Sequence, residues 1–185
     1  MSAAEDFFSQ LEKICAADID RVILREKHLI ESEYETLAKQ VMTICGKYNT
    51  PLSLHTYAEA AKRLDCKAIH LSYADFISGK GDDFDTVGVS VHSLDEAKLV
   101  EKSGASYITA GHIFPTDCKK DLPPRGTDFL REICESVQIP VYAIGGITPE
   151  NAPLVKSAGA SGVCLMSGLM KAKKPEDIIG KIKNC

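Results

Sequence analysis

Two glycine-bearing turns carry the sharpest chemical signal in this chain. Ile144-Gly145-Gly146-Ile147 and Met166-Ser167-Gly168 each end an apolar, strand-like run and precede a helix-like one. Glycine at such a junction lets backbone N–H groups approach an anion, and a helix N-terminus adds a favourable dipole. Gly145, Gly146, Ser167 and Gly168 are therefore expected to hold a phosphate group. The bland alternative is that the glycines only make tight turns. The second signal is the long, polar, proline-rich segment from Gly111 to Gly126. A loop of that length in a compact domain usually has a function. It sets His112, Thr116, Cys118, Lys119 and Lys120 beside one strand end. An imidazole moves protons near neutral pH, and ammonium groups hold anions by charge. A solvated, charged loop is the competing reading.

Other strand ends deliver Arg25 and Lys27, His55 and Thr56, Ser72 and Asp75, and Ser90 and His92. His70 lies inside an apolar run and reads as a satisfied structural histidine. His92 is evenly balanced between structure and chemistry. His55 faces the site only if Leu54 points away from it, which alternation along the strand does not settle. Cys118 reads as a bystander.

The elements that must position these groups alternate. Runs at 21–25, 51–55, 67–71, 87–91, 106–110, 140–144 and 162–166 are short and strand-like, the first of them β-branched. Between them lie segments with apolar residues at helical spacing, such as Glu33 to Met42 and Leu94 to Lys102. That rhythm predicts βα units and a parallel sheet with both faces covered. Eight strands would close a TIM-type (β/α)8 barrel, and only seven are readable. Ala3 to Ala17 reads as a helix with no strand ahead of it. Ser2 to Asp6 is too polar and too poor in β-branched residues to supply one. The chain is thus expected to form a barrel missing its first strand, as a single domain over residues 1–185. The missing strand is expected to lie upstream, so that the helix belongs to a beheaded first unit. A doubly wound open sheet is the alternative.

Composition narrows the partners. A net charge of −4 gives no basic surface for nucleic acid or an anionic membrane. No apolar run approaches the roughly 20 residues of a membrane span. Seven cysteines without paired or His-flanked spacing read as reduced thiols in a cytoplasm, not as a disulfide framework or a metal site. The expected partner is a small-molecule phosphate ester, with no nucleic acid and no membrane; a homodimer is compatible.

Leu24-Arg25-Glu26-Lys27, Gly88-Val89-Ser90-Val91-His92-Ser93, Thr116-Asp117-Cys118-Lys119 and Ala143-Ile144-Gly145-Gly146-Ile147 resemble the thiamine phosphate synthase superfamily, in matching order from about Phe7 to the C-terminus. The resemblance implies one of two activities. The synthase joins a pyrimidine diphosphate to a thiazole phosphate with magnesium, releasing pyrophosphate. Against that pattern, Ile23 replaces a Gln, His55-Thr56 replace Asn-Asp, Ser72-Tyr73 replace Gly-Gln, His112 stands for a Pro and Cys118 for a Thr, while Asp75 remains. The TenI-like thiazole tautomerase branch is similar to this chain along the loop from Gly111 to Gly126. That second resemblance implies an isomerase of thiamine biosynthesis that aromatises a carboxythiazole phosphate without metal or other cofactor. His112 would be its acid/base catalyst. Arg25, Lys27, Ser90, Thr116 and Lys119 would bind the rest of the substrate. The tautomerase is the expectation, with the synthase and a non-catalytic phosphate-ligand-binding protein as alternatives.

Overall fold

The computed structural model describes residues 3–185, without the side chains of Ala3, Ala4, Glu5 and Cys118. The readings of Ser2 and of the Cys118 thiol lie outside those residues. Helix α1 (Ala3–Ala16) comes first, followed by β1 (Val22–Leu24), α2 (Glu31–Lys47), β2 (Leu52–His55), α3 (Ala58–Arg63) and β3 (Ala68–Ser72). A short α4 (Tyr73–Ile77), β4 (Thr86–Val91), α5 (Leu94–Lys102) and β5 (Tyr107–Gly111) come next. After the long loop come α6 (Gly126–Ser136), β6 (Val141–Ile144), α7 (Ala152–Ser157), β7 (Gly162–Cys164), α8 (Ser167–Met170) and α9 (Pro175–Lys183).

All seven strands are parallel and lie side by side in sequence order, β1 to β7. A doubly wound sheet would reverse its order at a switch point, so that alternative is set aside. The sheet curls into a TIM-type half-barrel with β1 and β7 as its edges.

Alternation sorts the side chains. Leu54, Ile69, Leu71, Val87, Val89, Val91, Ile108, Ala110, Val141 and Ala143 point outward and are buried. The helices cover them with apolar stripes, such as Tyr34, Ala38, Val41 and Cys45 along α2. The apolar core therefore lies between sheet and helices. The inward positions are largely polar or small: Ser53, His55, His70, Ser72, Gly88, Ser90, Tyr107, Thr109, Tyr142 and Gly162. That departs from the branched aliphatic filling usual inside such barrels.

The gap between β1 and β7 is bridged by helices. Helix α1 packs on α2 at one side and on α8 and α9 at the other. Gln10 Nε2 donates to the carbonyls of Leu169 at 2.6 Å and Ala172 at 2.8 Å, tying the first helix to the last unit. From Ala3 to Asp6 the chain is helical, as expected, so this segment supplies no strand. Among the described residues no helix is long and apolar enough to cross a membrane.

Candidate active site

The strand ends meet at one rim of the half-barrel, and β1 and β2 bring the first charges there. Leu54 packs outward, so His55 faces the interior. The buried Tyr34 hydroxyl donates to the Leu24 carbonyl at 2.8 Å and accepts from the His55 N–H at 2.9 Å, pinning the two strand ends together. Burial pushes that phenol well above its usual range. Thr56 follows with φ of 72°, strained ground for a β-branched residue and typical of functional sites. Its hydroxyl lies 2.5 Å from His55 Nδ1. Burial, then the Arg25 and Lys27 cations, hold the His55 pKa down to about 4. Arg25 and Lys27 are exposed at the rim, where an anion can reach them.

Strands β3 to β5 add hydroxyls and one carboxylate. Ser72 caps α4 and donates to Asp75 Oδ2 at 2.7 Å, while Lys80 Nζ lies 2.5 Å from Asp75 Oδ1. Burial alone would raise the Asp75 carboxyl, but Lys80 and Ser72 hold it below its ordinary value. The Ser90 hydroxyl lies 3.1 Å from that of Thr109 and 2.9 Å from His70 Nε2. His92 is exposed and donates from Nδ1 to the Gly111 carbonyl at 3.0 Å.

The long loop and the β6 turn are built against each other. His112 follows β5 through a cis peptide bond and is buried. Its Nε2–H donates to the Leu122 carbonyl at 3.2 Å, which leaves the lone pair on Nδ1 in the neutral ring. The N–H groups of Ile113 and Phe114 bond the carbonyls of Ile144 and Gly145, both at 3.0 Å. Gly145 has φ of 97°, and a Cβ there would lie 2.3 Å from that of His112. At Gly146, with φ of 67°, a Cβ would come within 2.4 Å of the Pro115 carbonyl oxygen. Glycine at both positions is thus required by the loop's close approach, a reason the sequence alone does not show. Asn151 Nδ2 donates to the Gly146 carbonyl at 2.9 Å and steadies the turn. Ser167 and Gly168 open α8 at the surface, and a Cβ on Gly168 would meet nothing within 4 Å. Lys119 ends an exposed 3₁₀ turn, Asp117–Lys119, and Thr116 is half-buried just before it.

Each expected site residue thus lies at the C-terminal rim of the sheet. Arg25 and Lys27 gather around His55, Ser90 joins Thr109 and His70, and His112 joins Gly145. Ser167, Gly168 and Lys119 are exposed at the surface. The reading of the sequence missed Arg21, Ser53, Tyr107, Thr109 and Tyr142, which line the interior. Period-two spacing of polar residues within otherwise apolar strands was the available signal.

Magnesium, which the synthase resemblance implies, needs several oxygen ligands and usually carboxylates. Here Asp75 is engaged by Lys80 and Ser72, and the place of the second acid is taken by Thr56, whose hydroxyl pairs with His55. Among the described residues no three His, Cys, Asp or Glu side chains gather where they could hold a metal. This donor set does not fit the ion.

The family model described as thiamine monophosphate synthase matches residues 1–169. Thiamine-phosphate synthase 2 of Streptococcus pneumoniae is 35% identical over 97% of this chain and 86% of its own length. Thiamine-phosphate synthase of Methanobrevibacter smithii is 34% identical over 93% of this chain and 84% of its own length. Among solved structures, thiamine phosphate pyrophosphorylase from Pyrococcus furiosus superposes with a TM-score of 0.81 at 28% identity, covering 96% of this chain and 87% of that one. These names overturn the expectation of a tautomerase and of an isomerase, since they belong to a transferase. The physical reason is one of extent. The isomerase reading rested on one loop and a few strand-end replacements, whereas the identity to the synthases runs through the whole scaffold that shapes the site.

Proposed function

This chain belongs to the thiamine monophosphate synthase family, and we propose that it is a transferase joining a pyrimidine carried on a diphosphate to a thiazole phosphate, with release of pyrophosphate. The observation that carries the proposal is the identity to proteins named thiamine-phosphate synthase over nearly the whole chain. In this reaction the thiazole nitrogen lone pair forms the new C–N bond. The bond from the pyrimidine's methylene carbon to oxygen breaks, and its electron pair leaves with pyrophosphate. The attacking nitrogen carries no proton, so the step asks for no general base. What it asks for is neutralisation of a growing anion and alignment of two rings.

The chain's own residues match those demands. Arg25 and Lys27 at the β1 end hold the diphosphate, with the neutral His55 beside them leaving their charge unshared. Ser90 and Thr116 contact the rings. Lys119 and the N–H groups at Gly145, Gly146, Ser167 and Gly168 take the thiazole phosphate. His112, no longer needed as a base, fastens the loop through Leu122 and so shapes the pocket wall. Free thiols at Cys15, Cys45, Cys66, Cys134, Cys164 and Cys185 support a reducing, cytoplasmic setting.

The test supplies both substrates to the purified protein and follows thiamine phosphate and pyrophosphate. Formation of both in equal amounts is expected. Absence of thiamine phosphate under conditions where a family synthase turns over would end the proposal.

A further inference from the structure

A line of polar groups crosses the barrel interior beneath the strand ends, and beyond Ser90 the transferase chemistry leaves it unused. Arg21, just before β1, donates from Nη1 to Ser53 Oγ at 2.9 Å. Its guanidinium also lies over the Tyr107 ring, 5.7 Å from the centroid. Ser53 lies beside the Tyr107 hydroxyl, which is 3.1 Å from His70 Nδ1. On the other side of the ring, His70 Nε2 lies 2.9 Å from Ser90 Oγ and 3.4 Å from Thr109 Oγ1. His70, Gly88 and Tyr107 occupy one row across three strands. A Cβ on Gly88 would fall 2.1 Å from Tyr107 Cζ and 2.5 Å from His70 Nδ1, so glycine is what lets the bond cross the middle strand.

The direction of the line follows from what each group can donate. A guanidinium has donors only, so Ser53 must accept from Arg21. A phenol is a strong donor and an imidazole nitrogen a better acceptor than a phenol oxygen, so the Tyr107 proton goes to His70 Nδ1, and the free Ser53 proton can turn toward the Tyr107 oxygen. A neutral imidazole accepting at Nδ1 carries its hydrogen on Nε2, and that hydrogen points at Ser90.

We propose that His70 is a positioning residue. Locked as the Nε2–H tautomer by Arg21, Ser53 and Tyr107, it donates to Ser90 and turns the Ser90 proton outward, toward an acceptor nitrogen of the bound pyrimidine. The choice of ligand rests on the transferase reading, but the tautomer does not. The groups facing His70 agree with a neutral ring. Arg21 and Arg25 from the β1 side oppose a positive charge, and neither the neutral His55 from β2 nor any carboxylate bearing on the ring offsets them. Burial and these neighbours hold its pKa down to about 3.

The experiment combines spectroscopy with binding. Long-range ¹H–¹⁵N spectra of histidine-labelled protein between pH 5 and 8 should show His70 as a single, non-titrating Nε2–H tautomer. Tyr107→Phe, which removes the donor to Nδ1, should mix the tautomers. In calorimetry with the pyrimidine diphosphate, His70→Leu should weaken binding about tenfold, as loss of a neutral hydrogen bond does. His70→Gln, which returns an N–H near the Nε2 position, should recover most of that. An Nδ1–H tautomer, titration near 6.5, or equal affinity in wild type and His70→Leu would overturn the proposal. Should His70→Leu fail to fold, the Tyr107→Phe spectrum decides alone: an unchanged tautomer overturns the lock. A wild type that binds no pyrimidine diphosphate overturns the ligand assignment and the transferase reading together, while the spectra still decide the tautomer.

Discussion

Lowering the pH from 7 to 5 is expected to remove about 3–4 kcal/mol of folding stability through His55 and His70 alone. Unfolded, both rings titrate near 6.5. Folded, His55 is held to about 4 by burial and by Arg25 and Lys27, with Asp75 pulling weakly the other way. His70 is held to about 3 by burial, His55, Arg25 and Arg21. Both folded values lie below the unfolded one, so the unfolded chain binds protons first as the pH falls. Their contribution is therefore complete above 6.5 and drains away toward 4. Between pH 7 and 5 each ring gives up about 2 kcal/mol, set against a typical total of about 5–15 kcal/mol. The depressed carboxyls of Asp75 and Glu35 act in the same direction, but only as the pH falls through the ordinary carboxylate range. Urea unfolding at pH 7, 6 and 5 measures the effect, with the slope confirming that the same surface is exposed each time. A change under about 1 kcal/mol from pH 7 to 5 would refute the reasoning, because it would mean that the rings are charged or well solvated in the folded protein.

Tyr34→Phe should lower stability by about 1–3 kcal/mol, because it strands the buried Leu24 carbonyl and His55 N–H. An unchanged melting temperature would show that these groups find other partners. Gly146→Val combines a left-handed backbone with a clash against the Pro115 carbonyl. It should displace the loop, raise its protease sensitivity and weaken phosphate-ester binding by tenfold or more, whereas native cleavage and affinity would show that the turn does not hold the loop.

Much of the scaffold was legible in the chain itself. Apolar runs at 87–91 and 140–144, separated by helical stripes, demand parallel strands with a covered outer face, because period two and period 3.6 sort side chains locally. The helix at Ala3–Ala16, the glycines at 145 and 146 and the rim positions of Arg25, Lys27, Ser90 and His112 follow from the same local pattern. The activity was harder to read. The loop around His112 pointed to an isomerase, and identity along the whole chain to proteins named thiamine-phosphate synthase overturned that reading.

Other features depend on which residues become neighbours across strands. Gly88 is one strand residue among many until the register sets it between His70 and Tyr107. Gly146 looks like an anion turn until Phe114 and Pro115 close over it. His70 reads as an inert core histidine until Arg21, Ser53 and Tyr107 arrive from three other strand segments to set its tautomer. Local order along the chain determines which face of a strand is apolar. Only strand register determines which polar atoms come within hydrogen-bonding reach, because that distance is set by the pairing of separate segments, as for His70 and Tyr107, 37 residues apart in the chain.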